Sequence, residues 1–145
     1  MIDAKPDTAG ADFSQFDAPF AQFLGLKLTH VSAERVQAEL TARQELATVP
    51  AILHGGAIMA LADNLGGVAT MANLPKGART ATIESKTNFF AAIPIGETAH
   101  AECTALHRGR TTMVWQTKIT RNDGRLAALV IQTQIVIPAE PIKSV

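Results

Sequence analysis

The sequence predicts an α+β domain, and three observations carry that reading. Residues 54–74 (HGGAIMALADNLGGVATMANL) are apolar almost all the way round if wound as a helix, with Pro75 and Gly77 behind them as stop signals. This is a buried central helix. After it, four runs alternate apolar with polar side chains, at 81–90, 98–107, 111–120 and 126–137, as strands with one buried face do. Short Gly-containing breaks at 94–96, 108–110 and 122–124 favour antiparallel neighbours. One long helix followed by an antiparallel meander gives a sheet that wraps or covers the helix.

The remaining elements follow in chain order. Residues 1–11 have no periodicity and read as a loose tail, 12–138 as a single domain and 139–145 as a second tail. Phe13, Phe16, Phe20, Phe23 and Leu24 fall three and four apart, the stripe of an amphipathic helix that Pro19 splits into a turn and a second short helix. They serve either as aromatic anchors closing a core or as the lining of a pocket for an apolar ligand. Residues 26–40 alternate (Val36, Ala38 and Leu40 against Arg35, Gln37 and Glu39) and read as one strand. No element is legible over 41–53.

Composition bounds the function. The chain has 145 residues, 47% apolar and 18% charged, a globular balance with enough length for one core. Thirteen Lys and Arg against thirteen Asp and Glu give zero net charge, so no global field draws it to nucleic acid or to an anionic membrane. Such neutrality is permissive for self-association. One cysteine, Cys103, allows no disulfide within the chain, and no Cys/His cluster is spaced to hold zinc. With neither a signal segment nor about 20 consecutive apolar residues, the expected location is the cytoplasm.

Within 54–74 the single formally charged residue is Asp63. A carboxylate in a buried helix needs a partner, a raised pKa or a cavity that admits water; a backbone amide or an Arg from the sheet would be the ordinary partner. The helix opens on His54, Gly55 and Gly56, where free N–H groups can receive a polarised carbonyl oxygen, or where the glycines serve tight packing and His54 caps the helix. Gly55 and Asp63 are eight residues apart, roughly 12 Å along the axis. Two such groups cooperate most simply when each comes from a different subunit, around a two-fold axis. Gly66 and Gly67 each cost about 1 kcal/mol inside a helix, which close packing or a ligand would offset. Lys76, Arg79, Lys86, Arg108 and Arg110 are solvated charges unless a phosphate-bearing ligand uses some of them, the 108–110 turn above all. Trp115 reads as core or interface.

Residues 53–64 (LHGGAIMALADN), the strand 82–90, the Gly96-Glu97 pair and the turn Arg108-Gly109-Arg110-Thr111-Thr112 together resemble the hotdog-fold acyl-CoA thioesterases of the PaaI/4HBT-like branch, over about residues 20–138. The resemblance implies a long central helix wrapped by a curved antiparallel sheet, a homodimer or homotetramer, and hydrolysis of an aryl or medium-chain coenzyme A thioester without a further cofactor. It implies that Asp63 is general base or nucleophile, that the Gly55 N–H binds the thioester carbonyl, that Thr82 helps place the water, and that His54 orients the helix entrance. Gly56, Asn64, Arg108, Gly109, Arg110 and Thr111 would contact the substrate, the arginines near its phosphates. Many relatives carry Asn and Gly where this chain has Thr48 and Ala51. The alternatives are an acyl-CoA-binding module that does not hydrolyse, and a dehydratase, for which His30, His100 and His107 lack a suitably spaced acid.

Overall fold

The computed structural model describes residues 11–140. All of the expected N-terminal tail but Ala11, and 141–145 of the C-terminal one, lie outside them. A short 3-10 turn at Ser14–Phe16 precedes helix α1 (Pro19–Leu24), which starts on proline and stops at Gly25, where φ is +78°. The predicted split at Pro19 is present. The aromatic anchoring is present only in part: Phe16 packs against the core, whereas Phe20, which lines a cavity with Leu24, and Phe23 are more than half exposed, and Ala21 and Leu24 are the residues that α1 buries. Arg43 reaches across instead, donating to the carbonyls of Leu24 at 2.9 Å and Phe23 at 2.6 Å, and so holds the end of α1.

Residues 26–40 form two strands rather than one: β1 (Lys27–Val31) and β2 (Arg35–Thr41) make an antiparallel hairpin. The Ser32 side chain accepts from the Arg35 N–H at 3.1 Å, and this side-chain turn is what breaks the alternation. Two short strands, β3 (Ala47–Thr48) and β4 (Ile52–Leu53), occupy the stretch with no legible element. Then come α2 (Gly55–Met71), β5 (Arg79–Phe89), β6 (Thr98–Arg108), β7 (Thr112–Thr120) and β8 (Leu126–Ile137).

One six-stranded antiparallel sheet has the order β1-β2-β6-β7-β8-β5 and covers α2. The last three strands form the predicted meander, but β5 does not pair with β6; it closes on the far side of β8, while β6 pairs with β2. The chain between β5 and β6 explains the detour, because the Leu53 N–H bonds to the Ile93 carbonyl at 2.8 Å and Ile52 bridges to Pro94. That crossing carries the chain over the helix entrance before β6 begins. β5 is thereby an edge strand.

Helix α2 buries Ala57, Ile58, Leu61, Ala62, Leu65, Gly66, Val68, Ala69 and Thr70 against the sheet. Contrary to expectation it is not buried all round: Gly56, Met59, Asp63 and Met71 face outward along one stripe. Trp115 is fully buried beneath it, donating from Nε1 to Thr70 Oγ1 at 2.8 Å, and Thr70 Oγ1 in turn donates to the Gly66 carbonyl at 2.8 Å. Among the described residues no helix is long and apolar enough to cross a membrane.

Candidate active site

The first turn of α2 leaves N–H groups that the helix itself cannot satisfy. His54 is the N-cap, and its Nδ1 accepts from the Gly56 N–H at 2.8 Å, so a neutral His54 carries its proton on Nε2. The Ala57 and Ile58 N–H groups both reach the His54 carbonyl. Gly55 keeps its N–H without a partner among the described residues, so of the two glycines only Gly55 can donate to a ligand. A Cβ on Gly55 would approach the Phe89 ring to 3.2 Å, so the glycine also lets the end of β5 close over the helix entrance. Beside it lies a cavity of about 350 Å³ whose lining includes Thr48, Ile52, Ile58, Phe89 and Phe90. Ala51, in the loop leading to this cavity, has φ +113°, a region suited to glycine.

Asp63, expected buried, is exposed on the outward stripe of α2. Its partners are neither a backbone amide nor an arginine: Oδ1 accepts from Thr82 Oγ1 at 2.7 Å and from Gln132 Nε2 at 3.2 Å. Thr82 Oγ1 accepts from Gln134 Nε2 at 2.6 Å, and Gln134 Oε1 accepts from Thr80 Oγ1 at 2.9 Å. Each donor in this relay points toward the carboxylate. Oδ2 has no partner among the described residues, and Asp63 as a whole is exposed.

The fold therefore brings Asp63 and Thr82 together through a strand distant in sequence. Gln132 and Gln134 were not foreseen, although each is 1% exposed. Their signal is legible afterwards, since both occupy inward positions of β8, in phase with Val130 and Val136, where the alternation calls for apolar side chains.

Other expected contacts are placed elsewhere in the single chain. Asn64 donates from Nδ2 to the Ala60 carbonyl of its own helix at 3.0 Å. Arg108 donates to the Ala33 carbonyl at 3.0 Å and to Asn73 Oδ1 at 3.3 Å, which puts the 108–111 turn at the C-terminal end of α2. A helix of 17 residues is about 25 Å long, so within one chain this turn is far from Gly55. Gly109 is required there, because a Cβ would meet the Thr112 carbonyl oxygen at 2.9 Å and overlap the His107 ring. Arg110 and Thr111 are exposed.

Comparison with known proteins supplies the family. The profile of the thioesterase superfamily matches residues 51–128, a span running from the helix entrance through Asp63 and Thr82 into β8. A Mycobacterium tuberculosis protein whose name assigns it to the esterases is 28% identical over 76% of this chain and 80% of its own length. The 1,4-dihydroxy-2-naphthoyl-CoA hydrolase of Escherichia coli is 27% identical over 72% of this chain and 76% of its own. The crystal structure of a mutant thioesterase from Pseudomonas aeruginosa superposes with a TM-score of 0.82 at 25% identity, covering 89% of this chain and 96% of that one. With its helix enclosed by one antiparallel sheet and its acid and free glycine N–H on that helix, the chain belongs to the thioesterase superfamily and is a hotdog-fold thioester hydrolase.

Proposed function

We propose that the chain hydrolyses an acyl-CoA thioester, with the Gly55 N–H receiving the thioester carbonyl oxygen and Asp63 activating the attacking water. The observation that carries this reading is the pair of differently prepared groups on one helix: an unpartnered N–H at its start, and a carboxylate anchored through one oxygen with the other left open. In the general-base route, Asp63 takes a proton from water as the water oxygen bonds to the carbonyl carbon. The developing oxyanion is held at Gly55, the C–S bond then breaks, and the proton passes to the departing coenzyme A thiolate. In the nucleophilic route Asp63 itself attacks the carbonyl carbon, the C–S bond breaks and coenzyme A leaves as thiolate, and water then hydrolyses the resulting anhydride to free acid and the restored Asp63 carboxylate, the released proton going to the thiolate. Neither route calls for a cofactor.

Eight residues of helix separate Gly55 from Asp63, roughly 12 Å along the axis, too far for both to reach one carbonyl group from the same chain. The proposed site is therefore completed by a second copy, as a homodimer that can pair into a homotetramer. Support comes from what one chain leaves uncovered: Met59 and Asp63 on α2, Ile83 and Phe89 on β5, and the unpaired edge of β5 itself. The same pairing offers a route for Arg108 and Arg110, remote from Gly55 in their own chain, to approach the coenzyme A phosphates of the partner's site. The cavity beside Gly55, with its aromatic and aliphatic lining, suits an aryl or medium-chain acyl group. The naphthoyl-CoA specificity in the name of the Escherichia coli relative supports the aryl class.

The test is thiol release over a panel of aryl and alkyl coenzyme A esters. Asp63→Asn is expected to lower turnover at least about 100-fold with an unchanged thermal melt. Turnover retained in that variant would overturn the role of Asp63. Binding of the esters by the unaltered protein with no thiol released would establish a binding module instead.

A further inference from the structure

Gln132 is a poor choice for a core position. Its Oε1 is buried with no hydrogen-bond partner among the described residues, and its amide lies against Gly66 of α2, where any side chain would collide with it. A Cβ on Gly66 would overlap the Gln132 amide carbon and sit within 2.6 Å of Oε1, so the amide fits only because residue 66 is glycine. Two unfavourable features thus coincide: an orphaned buried acceptor, and a glycine inside a helix where Ala would be better. What they jointly permit is one contact, from Gln132 Nε2 to Asp63 Oδ1 at 3.2 Å. Gln134, one inward position further along β8, has both ends of its amide bonded and needs no such accommodation.

We propose that Gln132, seated across Gly66, is a positioning residue for the hydrolysis described above. Together with Thr82 it occupies Asp63 Oδ1, fixing the carboxylate plane so that Oδ2 is the oxygen that reacts. An aspartate on an exposed helix stripe has free rotation about χ1 and χ2, and a single hydrogen bond from Thr82 leaves the plane free to swing about that bond. A second donor on the same oxygen, arriving from a different direction, removes the swing. Gly66 acts one step further away, by leaving the space into which the Gln132 amide is laid. The role rests on the thioesterase reading of the site, but the contact it depends on can be observed without turnover.

The test combines kinetics, melting and side-chain NMR on the full chain. Gln132→Met, which keeps the volume and removes both donor and orphaned acceptor, is expected to lower kcat about tenfold with KM within about twofold and a melting temperature equal to or above that of the unaltered protein. A glutamine serving only the core would show the reverse, a lowered melt with kcat preserved. Gly66→Ala is expected to lower kcat about as much as Gln132→Met. In a Gln132→Ala background, where the amide is gone, Gly66→Ala should cause no further loss; if the two losses multiply, the coupling through Gln132 is wrong. In spectra of the unaltered protein the Gln132 side-chain NH2 signals should move on Asp63→Ala and on Gly66→Ala. Gln132 signals indifferent to Asp63→Ala would overturn the proposal whatever the kinetics. Signals that move in a protein releasing no thiol would instead retain the contact and reject the hydrolytic reading.

Discussion

Gly55 supplies an N–H and no side chain, so its contribution can be removed only through the backbone. Proline does this at little cost in fold, because position 55 is the first residue of α2, where proline is favoured, and His54 at φ −62° and ψ 136° already has the extended conformation that precedes one. Gly55→Pro is therefore expected to lower thiol release about 100-fold or more while circular dichroism still reports a folded chain; the Phe89 ring, 3.2 Å from a Cβ at this position, has to give slightly. Ala51 is the opposite case, a side chain where the backbone asks for none. At φ +113° it carries strain that glycine relieves, so Ala51→Gly should raise stability by about 1 kcal/mol, read as a higher urea midpoint. At this scale the sequence was most informative about Asp63 and the 54–56 entrance, since a lone charge and paired glycines stand out in an apolar run. It was silent on Gln132, whose meaning depends on a contact 69 residues away.

Elements were legible where their stabilisation is local. The run 126–137 is β8 to the residue, α1 begins on Pro19 and stops at Gly25, and α2 begins behind its His54 cap but ends at Met71, short of the Pro75 stop signal. The meander of β6, β7 and β8 was legible from its short breaks, whereas the place of β5 was not: a break limits how the chain turns and says nothing of which edge receives it, and the bonds tying Ile93 to Leu53 redirect β6 to β2 and leave β5 to β8. The hairpin of β1 and β2 was lost to periodicity for a related reason, since a three-residue turn closed by Ser32 interrupts an alternation too briefly to be noticed. β6 supplies a property that belongs to a buried strand. Burial at Cys103 pushes its thiol up to about 11 from 9.0, with a smaller opposing effect from the bond to Thr117. The folded chain thus holds this proton where the unfolded chain releases it, so the associated stability is intact below pH 9 and is lost as pH rises toward 11. Urea midpoints at pH 8 and pH 10.5 should differ more for the unaltered protein than for Cys103→Ala.

At the scale of the whole molecule, the prediction that separates a shared site from a self-contained one uses two inactive proteins. Gly55→Pro removes the proposed donor and Asp63→Asn the proposed base; subunits of each, unfolded together and refolded as a mixture, should regain thiol release, because on the proposed arrangement a mixed dimer contains one site with both groups intact. Mixtures as inactive as their components, or a mass of 15.4 kDa by light scattering, would mean that one chain has to do everything alone. The overall architecture was legible from the helix-then-strands order, whereas the exposed stripe of α2 was not, since an exposed apolar face and one packed on a core can have the same residues. The place of Thr82 on β5 then reaches into the behaviour of the enzyme in dilute solution. In a lone chain β5 is bonded on one side only, so it opens more readily than any interior strand, and each opening pulls Thr82 away from Asp63. On the proposed dimer, dissociation would both divide the site and loosen the acid that remains, so turnover per chain is expected to fall with dilution while α2 and the interior strands stay folded, with amide hydrogen exchange quickening first along residues 79–89.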